Sequence, residues 1–330
     1  MKLKLLFLAS GIIGIAIGLS AAYTLSKKDI KYIVERQPLV QRARVLGYSF
    51  RRPEEYYVLP AAKWVPQTFN NCGPAAVSMT LQYFGHSVPQ TETKARLRTG
   101  DDDKNIFMYQ ISDYLKEFDI ESKIFFNGDI EMVKTLVSNG FYVIVEDWLR
   151  PYEDIGHVLI IRGYDDRAKV LIGDDPYLGV GVRFPYQEFE EGQWKPFNRE
   201  FVPVYSREKE ELLKAIVGEN WNESTMYRNS VIRNQKDIEE NPNDMYAWFN
   251  LGTSYFALAE YENAKEAFEK SRQIGWPGRM LWYQIEPIET YNKLGEYQKA
   301  IELANIALAG NESFIEVQQE KEFALEKLGF

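Results

Sequence analysis

The sequence predicts an α+β domain that is followed by an all-α domain of helical repeats. Helical patterns precede a series of short, strand-like apolar runs in the first two thirds of the chain, and this order is typical of α+β folds rather than doubly wound sheets. The last third is almost wholly helical and contains an internal repeat. At 330 residues with 45% hydrophobic content, the chain is long enough for two well-buried cores.

The first element is an apolar segment at the amino terminus. The run from Leu5 to Leu25 carries no charge and is flanked by lysines. It is long enough to span a bilayer, so we expect a transmembrane anchor in residues 1–25. A cleaved signal peptide is the alternative, because residues 20–22 are small. We therefore expect a cell-membrane protein with its bulk outside the cytoplasm, or a secreted protein if the segment is removed.

A charged, arginine-rich linker, residues 26–55, precedes the α+β domain, for which we predict residues 56–205. Apolar spacing predicts helices near 73–84, 107–118 and 130–138. Five runs then have the composition of strands: ESKIFF, FYVIVED, HVLIIRGY, KVLIGD and GVRFPY. These strands look antiparallel, and a turn-like sequence joins HVLIIRGY to KVLIGD.

The carboxyl-terminal third, residues 230–330, contains the repeat and follows a linker helix at 206–229. Tyr255 and Tyr291 begin two similar stretches, YFALAEYENAKEAF and YNKLGEYQKAIELA. The first copy resembles the tetratricopeptide pattern, with small residues where paired helices pack closely. Its matching residues are Trp248, Leu251, Gly252, Phe268 and Pro277. The second copy is degenerate, a last helix at 312–328 caps the stack, and such modules predict a protein partner.

Composition excludes several other functions. A net charge of −9 without a basic cluster argues against binding to nucleic acid. One loop places Asp101, Asp103 and Asn105 at the first, third and fifth positions of a calcium-loop template, but Ile106 replaces the required glycine and Ser112 the required glutamate. We therefore expect no metal and no cofactor.

The chain has one cysteine, Cys72, at the start of the first predicted helix. Free backbone N–H groups and the helix dipole stabilise a thiolate at such a position. A thiolate is the nucleophilic form, so Cys72 is a candidate nucleophile. A buried cysteine that packs as a small hydrophobe is the alternative.

The chain has two histidines, of which His86 is expected in an exposed loop and His157 at the start of a buried strand. A hairpin with its turn at 165–168 would bring residue 175 or 176 opposite His157. Asp175 is therefore the candidate that orients the imidazole. Asp174 is the alternative, since neighbouring strand residues point to opposite faces.

Oxyanion stabilisation requires hydrogen-bond donors near the nucleophile. The backbone N–H of Cys72 is one candidate, and the side-chain amide of Gln67 on the preceding loop is another.

Together, Gln67 and the stretches CGPAAVSMTLQYFG, GHVLIIRGYDD and DDPYLG resemble the papain-like cysteine peptidases of the bacteriocin-processing type. The transporter-linked members of that family cut leader peptides after a double glycine. The resemblance extends over about Tyr56 to Tyr205. It implies Cys72 as nucleophile, His157 as general base and acid, Asp175 as orienter and Gln67 as oxyanion donor.

We therefore expect a membrane-tethered cysteine peptidase-like hydrolase that cleaves peptide bonds and binds a protein partner through its repeats. The alternative is a catalytically silent, peptidase-like scaffold that binds proteins through the repeats. Trp148 and Tyr152 are hypothesised to line a substrate groove, because they lie just before His157.

Overall fold

The fold is described from a computed structural model, which covers residues 50–98 and 105–330. The predicted anchor, residues 1–25, lies outside these ranges, as do most of the linker 26–55 and both aspartates of the calcium-loop template. None of the helices in the described ranges combines the length and apolarity that crossing a bilayer requires.

The α+β part is built on an antiparallel sheet of seven strands, which confirms the predicted arrangement. Six strands follow the spatial order β2, β7, β3, β4, β5, β6, and β1 pairs with the far end of β4. The strands are β1 Tyr56–Val58, β2 Glu121–Ser122, β3 Tyr142–Trp148, β4 Gly156–Asp165, β5 Val170–Asp175, β6 Gly179–Pro185 and β7 Phe201–Tyr205.

Four helices accompany the sheet. They are α1 Cys72–Tyr83, α2 Gln90–Leu97, α3 Met108–Lys116 and α4 Ile130–Ser138. Helix α1 is buried from Gly73 to Leu81 and packs on β4, because its small and apolar side chains fit closely against the sheet. Helix α2 was not predicted, since only Thr93 and Leu97 of its eight residues are buried and the apolar pattern is too sparse to detect.

The hairpin between β4 and β5 differs from its predicted register. The prediction placed residue 172 or 173 opposite Ile160, whereas Asp174 lies there. The turn begins one residue later than expected, and Arg162 forms a bulge in β4. A bulge inserts one residue into only one strand, so counting from the turn cannot locate it.

Seven helices form the carboxyl-terminal part. They are α5 Glu210–Val217, α6 Glu223–Glu240, α7 Met245–Ala257, α8 Tyr261–Ile274, α9 Glu286–Leu294, α10 Tyr297–Leu308 and α11 Ile315–Leu328. Helices α7 and α8 pack as an antiparallel pair. A Cβ atom at Gly252 would lie 2.5 Å from the Phe268 ring, which explains the small residue at this position.

The helical part packs against the sheet, and Phe50–Phe330 forms one compact unit. Trp148, at the end of β3, is fully buried and contacts the rings of Phe197 and Tyr283 edge-on. Its indole N–H donates to Tyr246 Oη of α7 at 3.2 Å. The hypothesis that Trp148 lines a substrate groove is therefore wrong, because the repeat helices cover it; Tyr152 is exposed.

Candidate active site

Cys72 is the first residue of α1 and is half-buried. Burial raises the pKa of its thiol, but the hydrogen bond to His157 and the positive charges of His157 and Arg98 outweigh burial. The backbone N–H of Gly73 adds to this effect, so the thiol pKa lies below its ordinary value. The helix terminus and two cations therefore favour a thiolate.

His157 lies near the start of β4 and is 3% exposed. Its Nε2 is 3.0 Å from Asp175 Oδ1, which leaves Nδ1 for the contact with the Cys72 thiol. Burial lowers the pKa of the imidazole, but its bonds to Asp175 and Cys72 raise that pKa well above its ordinary value. Because the thiol pKa of Cys72 is lowered and the imidazole pKa of His157 is raised, the two side chains favour the thiolate and imidazolium forms.

Asp175, the last residue of β5, is held in place by its own backbone surroundings. Its Oδ1 also accepts the N–H groups of Tyr177 at 2.6 Å and Leu178 at 2.9 Å. Burial raises the pKa of this carboxyl, while His157 and the two N–H groups bring the pKa below its ordinary value. The carboxylate therefore stays charged beside the imidazole.

Continuing the observed register would place Asp175 opposite Leu159, so His157 is its diagonal neighbour on the same face. Long side chains reach diagonal neighbours across a strand pair. The register error therefore did not remove the predicted contact between Asp175 and His157.

Asp174 points to the other face of the sheet. Its Oδ1 accepts Arg162 Nε at 2.7 Å, and its Oδ2 accepts Tyr83 Oη at 2.8 Å. The carboxylate is fully buried and neutralised by the arginine of the bulge. Asp174 thus holds β5 to β4 and α1, and it does not contact the imidazole.

Gln67 lies on the loop before α1. Its backbone N–H donates to Pro176 O at 2.9 Å, which ties this loop to the residue after Asp175. The side-chain Oε1 is buried and has no hydrogen-bond partner within the described ranges. Gln67 is not among the residues that line the small cavity at Cys72, and its oxyanion role stays a prediction.

His86, expected to be exposed, is half-buried, with its ring centroid 5.1 Å from that of Phe118. It follows the end of α1 and lies apart from the residues that line the cavity at Cys72.

Sequence reasoning missed two acidic residues of β3. Asp147 pairs directly with His157 across the strands and is fully buried. Burial raises the pKa of Asp147 well above its ordinary value, and the nearby charge of Asp175 adds to this rise. The preceding residue, Glu146, lines the cavity at Cys72. The sequence signal for these residues was a pair of acidic residues in the otherwise apolar run FYVIVED, since carboxyls are seldom buried in a strand without a partner or a function.

The cavity at Cys72 measures about 20 Å³, and Tyr283 of the helical part forms one of its walls. A Cβ atom at Gly156 would lie 2.4 Å from Tyr283 Cε1, so a glycine is required where the ring meets β4. Burial raises the pKa of this tyrosine to about 12. No sequence signal indicated Tyr283, because it reaches the site through packing between distant segments.

Comparison with known proteins agrees with this fold. Residues 57–202 match the model of the Peptidase_C39 like family. The predicted resemblance is confirmed. Residues 246–271 match the tetratricopeptide repeat model, so the C39-like segment is followed by the predicted type of repeat. No curated protein matches the chain.

Two solved structures are similar to the C39-like segment. One is a double glycine motif protease from an AMS/PCAT transporter in complex with its leader peptide, at 20% identity and a TM-score of 0.32. The match covers 43% of this chain and 89% of that one. The other is the peptidase domain of Streptococcus ComA, at 15% identity and a TM-score of 0.35, covering 44% of this chain and 99% of that one.

Proposed function

We propose that this protein is a cysteine peptidase that cleaves peptide bonds through Cys72, His157 and Asp175. The observation that carries the proposal is that Cys72, at a helix start, and His157 line one small cavity, and that His157 Nε2 lies 3.0 Å from the buried Asp175 carboxylate. Nucleophile, base and orienter in this order are the requirements of thiol-dependent acyl transfer.

In this mechanism the Cys72 thiolate attacks the carbonyl carbon of the scissile peptide bond. The backbone N–H groups at the start of α1, together with the Gln67 amide, donate to the oxyanion. The imidazolium of His157 gives its proton to the leaving amine, and a thioester on Cys72 remains. His157 then removes a proton from water, which hydrolyses the thioester and regenerates the thiol.

We further propose that the Leu5–Leu25 segment tethers the enzyme to the cell membrane with its bulk extracytoplasmic. The tetratricopeptide helices would bind a protein, either the substrate or a partner that delivers it. A peptide or protein is thus the proposed substrate.

The reactivity of Cys72 against pH tests the enzyme proposal. Because the thiol pKa is lowered, the thiolate should persist below the ordinary thiol pKa of about 8.5 and be lost only as the pH falls through the lowered value. Carbamidomethylation of the full-length protein by iodoacetamide, followed by mass spectrometry, should stay fast below about pH 7. His157→Ala should move the midpoint of this profile upward. A wild-type midpoint near that of an ordinary thiol would refute activation.

One observation favours the alternative of a silent scaffold. The space between Cys72 and Tyr283 is about 20 Å³, which is room for about one water molecule. If Cys72 serves no reaction, Cys72→Ala should leave the cellular phenotype intact, whereas deletion of residues 230–330 should abolish it. Loss of the phenotype in Cys72→Ala would exclude the scaffold.

A further inference from the structure

A second, larger cavity lies next to the candidate active site, between the sheet and the repeat helices. Its volume is about 570 Å³, within the usual range of ligand sites. Glu146 of β3 and Tyr283 line both this cavity and the small one that contains Cys72 and His157. An occupant of the larger cavity would therefore lie directly beside the reactive thiol.

The described lining of this cavity is strongly acidic. One basic residue, Lys123, contributes to it, and its ammonium group lies over the Trp221 ring at 4.6 Å. The acidic lining residues are Glu146, Glu200, Glu223, Glu286, Glu289, Glu316 and Glu320. They come from β3, from the residue before β7 and from three different helices, so folding of the whole unit assembles the acidic surface.

Two of these carboxyls are buried without compensation. Glu146 is 7% exposed and Glu200 is 9% exposed, and neither forms an ion pair or a hydrogen bond through its carboxyl with any described residue. Oε2 of Glu286 is likewise buried and unpartnered within the described ranges. Buried carboxyls are normally paired, because desolvating an unpaired charge is costly.

The pKa shifts of the two buried carboxyls agree with a site for a cation. Burial raises the pKa of Glu146 well above its ordinary value, and neighbouring Glu200, Cys72, Asp147 and Glu286 raise it further. Burial, with the charge of Glu286, raises the pKa of Glu200 to about 8. A cation placed between these groups would replace their protons and remove the repulsion.

The chemistry of the lining residues indicates which kind of cation the cavity would bind. No group of three or more Asp, Glu, His or Cys side chains in the described ranges is arranged to hold a metal ion. Apolar side chains also line the cavity; they include Phe107, Met108, Ile124, Phe126 and Met226. Such a lining matches a lysine or arginine side chain, whose methylene stem packs on apolar surface while its head carries the charge.

We propose that this cavity is a specificity subsite that binds a lysine or arginine side chain of the peptide substrate near the scissile bond, with Glu146 and Glu200 as its principal ligands. The inference rests on the proposed peptidase function and adds the chemical class of the substrate. Glu146 and Glu200 bind and position the substrate, while the reacting atoms belong to Cys72 and His157.

Peptide chloromethyl ketones that alkylate Cys72 test this subsite. The probes are based on acetyl-triglycine chloromethyl ketone. In three of them lysine replaces the first, second or third glycine, and matched probes carry norleucine or acetyl-lysine at the same position. In the full-length protein at least one lysine probe should react about tenfold faster than both neutral counterparts. Equal rates for all three side chains at every position, with fast iodoacetamide labelling, would overturn the subsite and leave the peptidase proposal standing.

Substitution of the two proposed ligands tests whether they cause the preference for lysine. Glu146→Gln and Glu200→Gln should each bring the ratio of lysine to norleucine rates close to one, with each rate divided by the iodoacetamide rate of the same variant because Glu146 also lines the cavity at Cys72. Glu322→Gln, an exposed glutamate outside the cavity, should keep the wild-type ratio. A lysine preference that survives both cavity variants would show that another surface causes it and would overturn the assignment.

An equilibrium measurement separates this proposal from catalysis. The full-length Cys72→Ala protein should bind the corresponding lysine peptide amide about tenfold more tightly than the norleucine one in calorimetry. This result would support the subsite even if iodoacetamide showed an ordinary thiol. Equal affinities would overturn the subsite whatever the reactivity of Cys72.

Discussion

The contact between Gly156 and Tyr283 joins β4 to the helical part, and Gly156→Ala tests it. The added Cβ would lie 2.4 Å from Cε1 and 2.7 Å from Cζ of the tyrosine ring. Carbon atoms in contact prefer about 3.5–4.0 Å, so the ring must move by about 1 Å. Trp148 and Phe197 pack edge-on against this ring and resist the movement. Overpacking of this kind costs about 1–3 kcal/mol.

A double-mutant cycle isolates this cost. Tyr283→Ala removes the clash as well as the ring, so Gly156→Ala should cost close to nothing in that background and the coupling energy should be about 1–3 kcal/mol. Equilibrium urea unfolding of the four full-length proteins measures it. Gly278→Ala is the matched control, since no atom lies within 4 Å of its added Cβ, and it should change stability by less than about 0.5 kcal/mol.

The same variants affect access to the thiol. Tyr283→Ala removes one wall of the cavity at Cys72, so a bulky reagent such as N-ethylmaleimide should gain more in rate than iodoacetamide. An equal cost of Gly156→Ala in both backgrounds, together with unchanged reagent selectivity, would refute the inference that Tyr283 packs over this strand.

Three further predictions concern polar residues of the candidate site and its surroundings. Asp175→Asn should lower peptidase turnover and the pKa of His157, since it removes the charge 3.0 Å from Nε2, with stability nearly unchanged; turnover and the pH profile of alkylation measure this. Asp174→Asn should instead leave Arg162 buried without its counter-charge and destabilise the fold by about 3–5 kcal/mol in urea unfolding. Gln67→Ala should lower kcat while KM stays constant, because an oxyanion donor acts in the transition state; a change in KM alone would contradict that role.

Local patterns accounted for the helix at 130–138 and for the strand cores, because each has a clear apolar period and a defined stop. They failed at β1, which has three residues, and at β7, which no pattern indicated, and only the first two residues of the predicted strand ESKIFF form β2. They also failed at α2, which buries few side chains. The bulge at Arg162 shifted the hairpin register by an amount that no local residue signals.

Within the site, Cys72, His157 and Asp175 were recognisable because their chemistry is rare in this chain and a hairpin separates the last two by a short distance in sequence. Only the structure showed that Asp175 contacts His157 while Asp174 binds Arg162. The sequence does not distinguish two adjacent acidic residues of a strand, which differ only in the face they occupy.

The sequence by itself determined the type of each domain, the repeat and the candidate nucleophile, base and acid, because periodicity and motif spacing are local properties of the chain. Only the tertiary structure decided that Tyr283 closes the space beside Cys72 and that glutamates from β3, α9 and α11 share one cavity. Cys72 and Glu146 are separated from the helical residues by more than a hundred positions, and no common motif links them. They meet because the repeat helices pack on the sheet, and such contacts depend on the shapes of two folded surfaces.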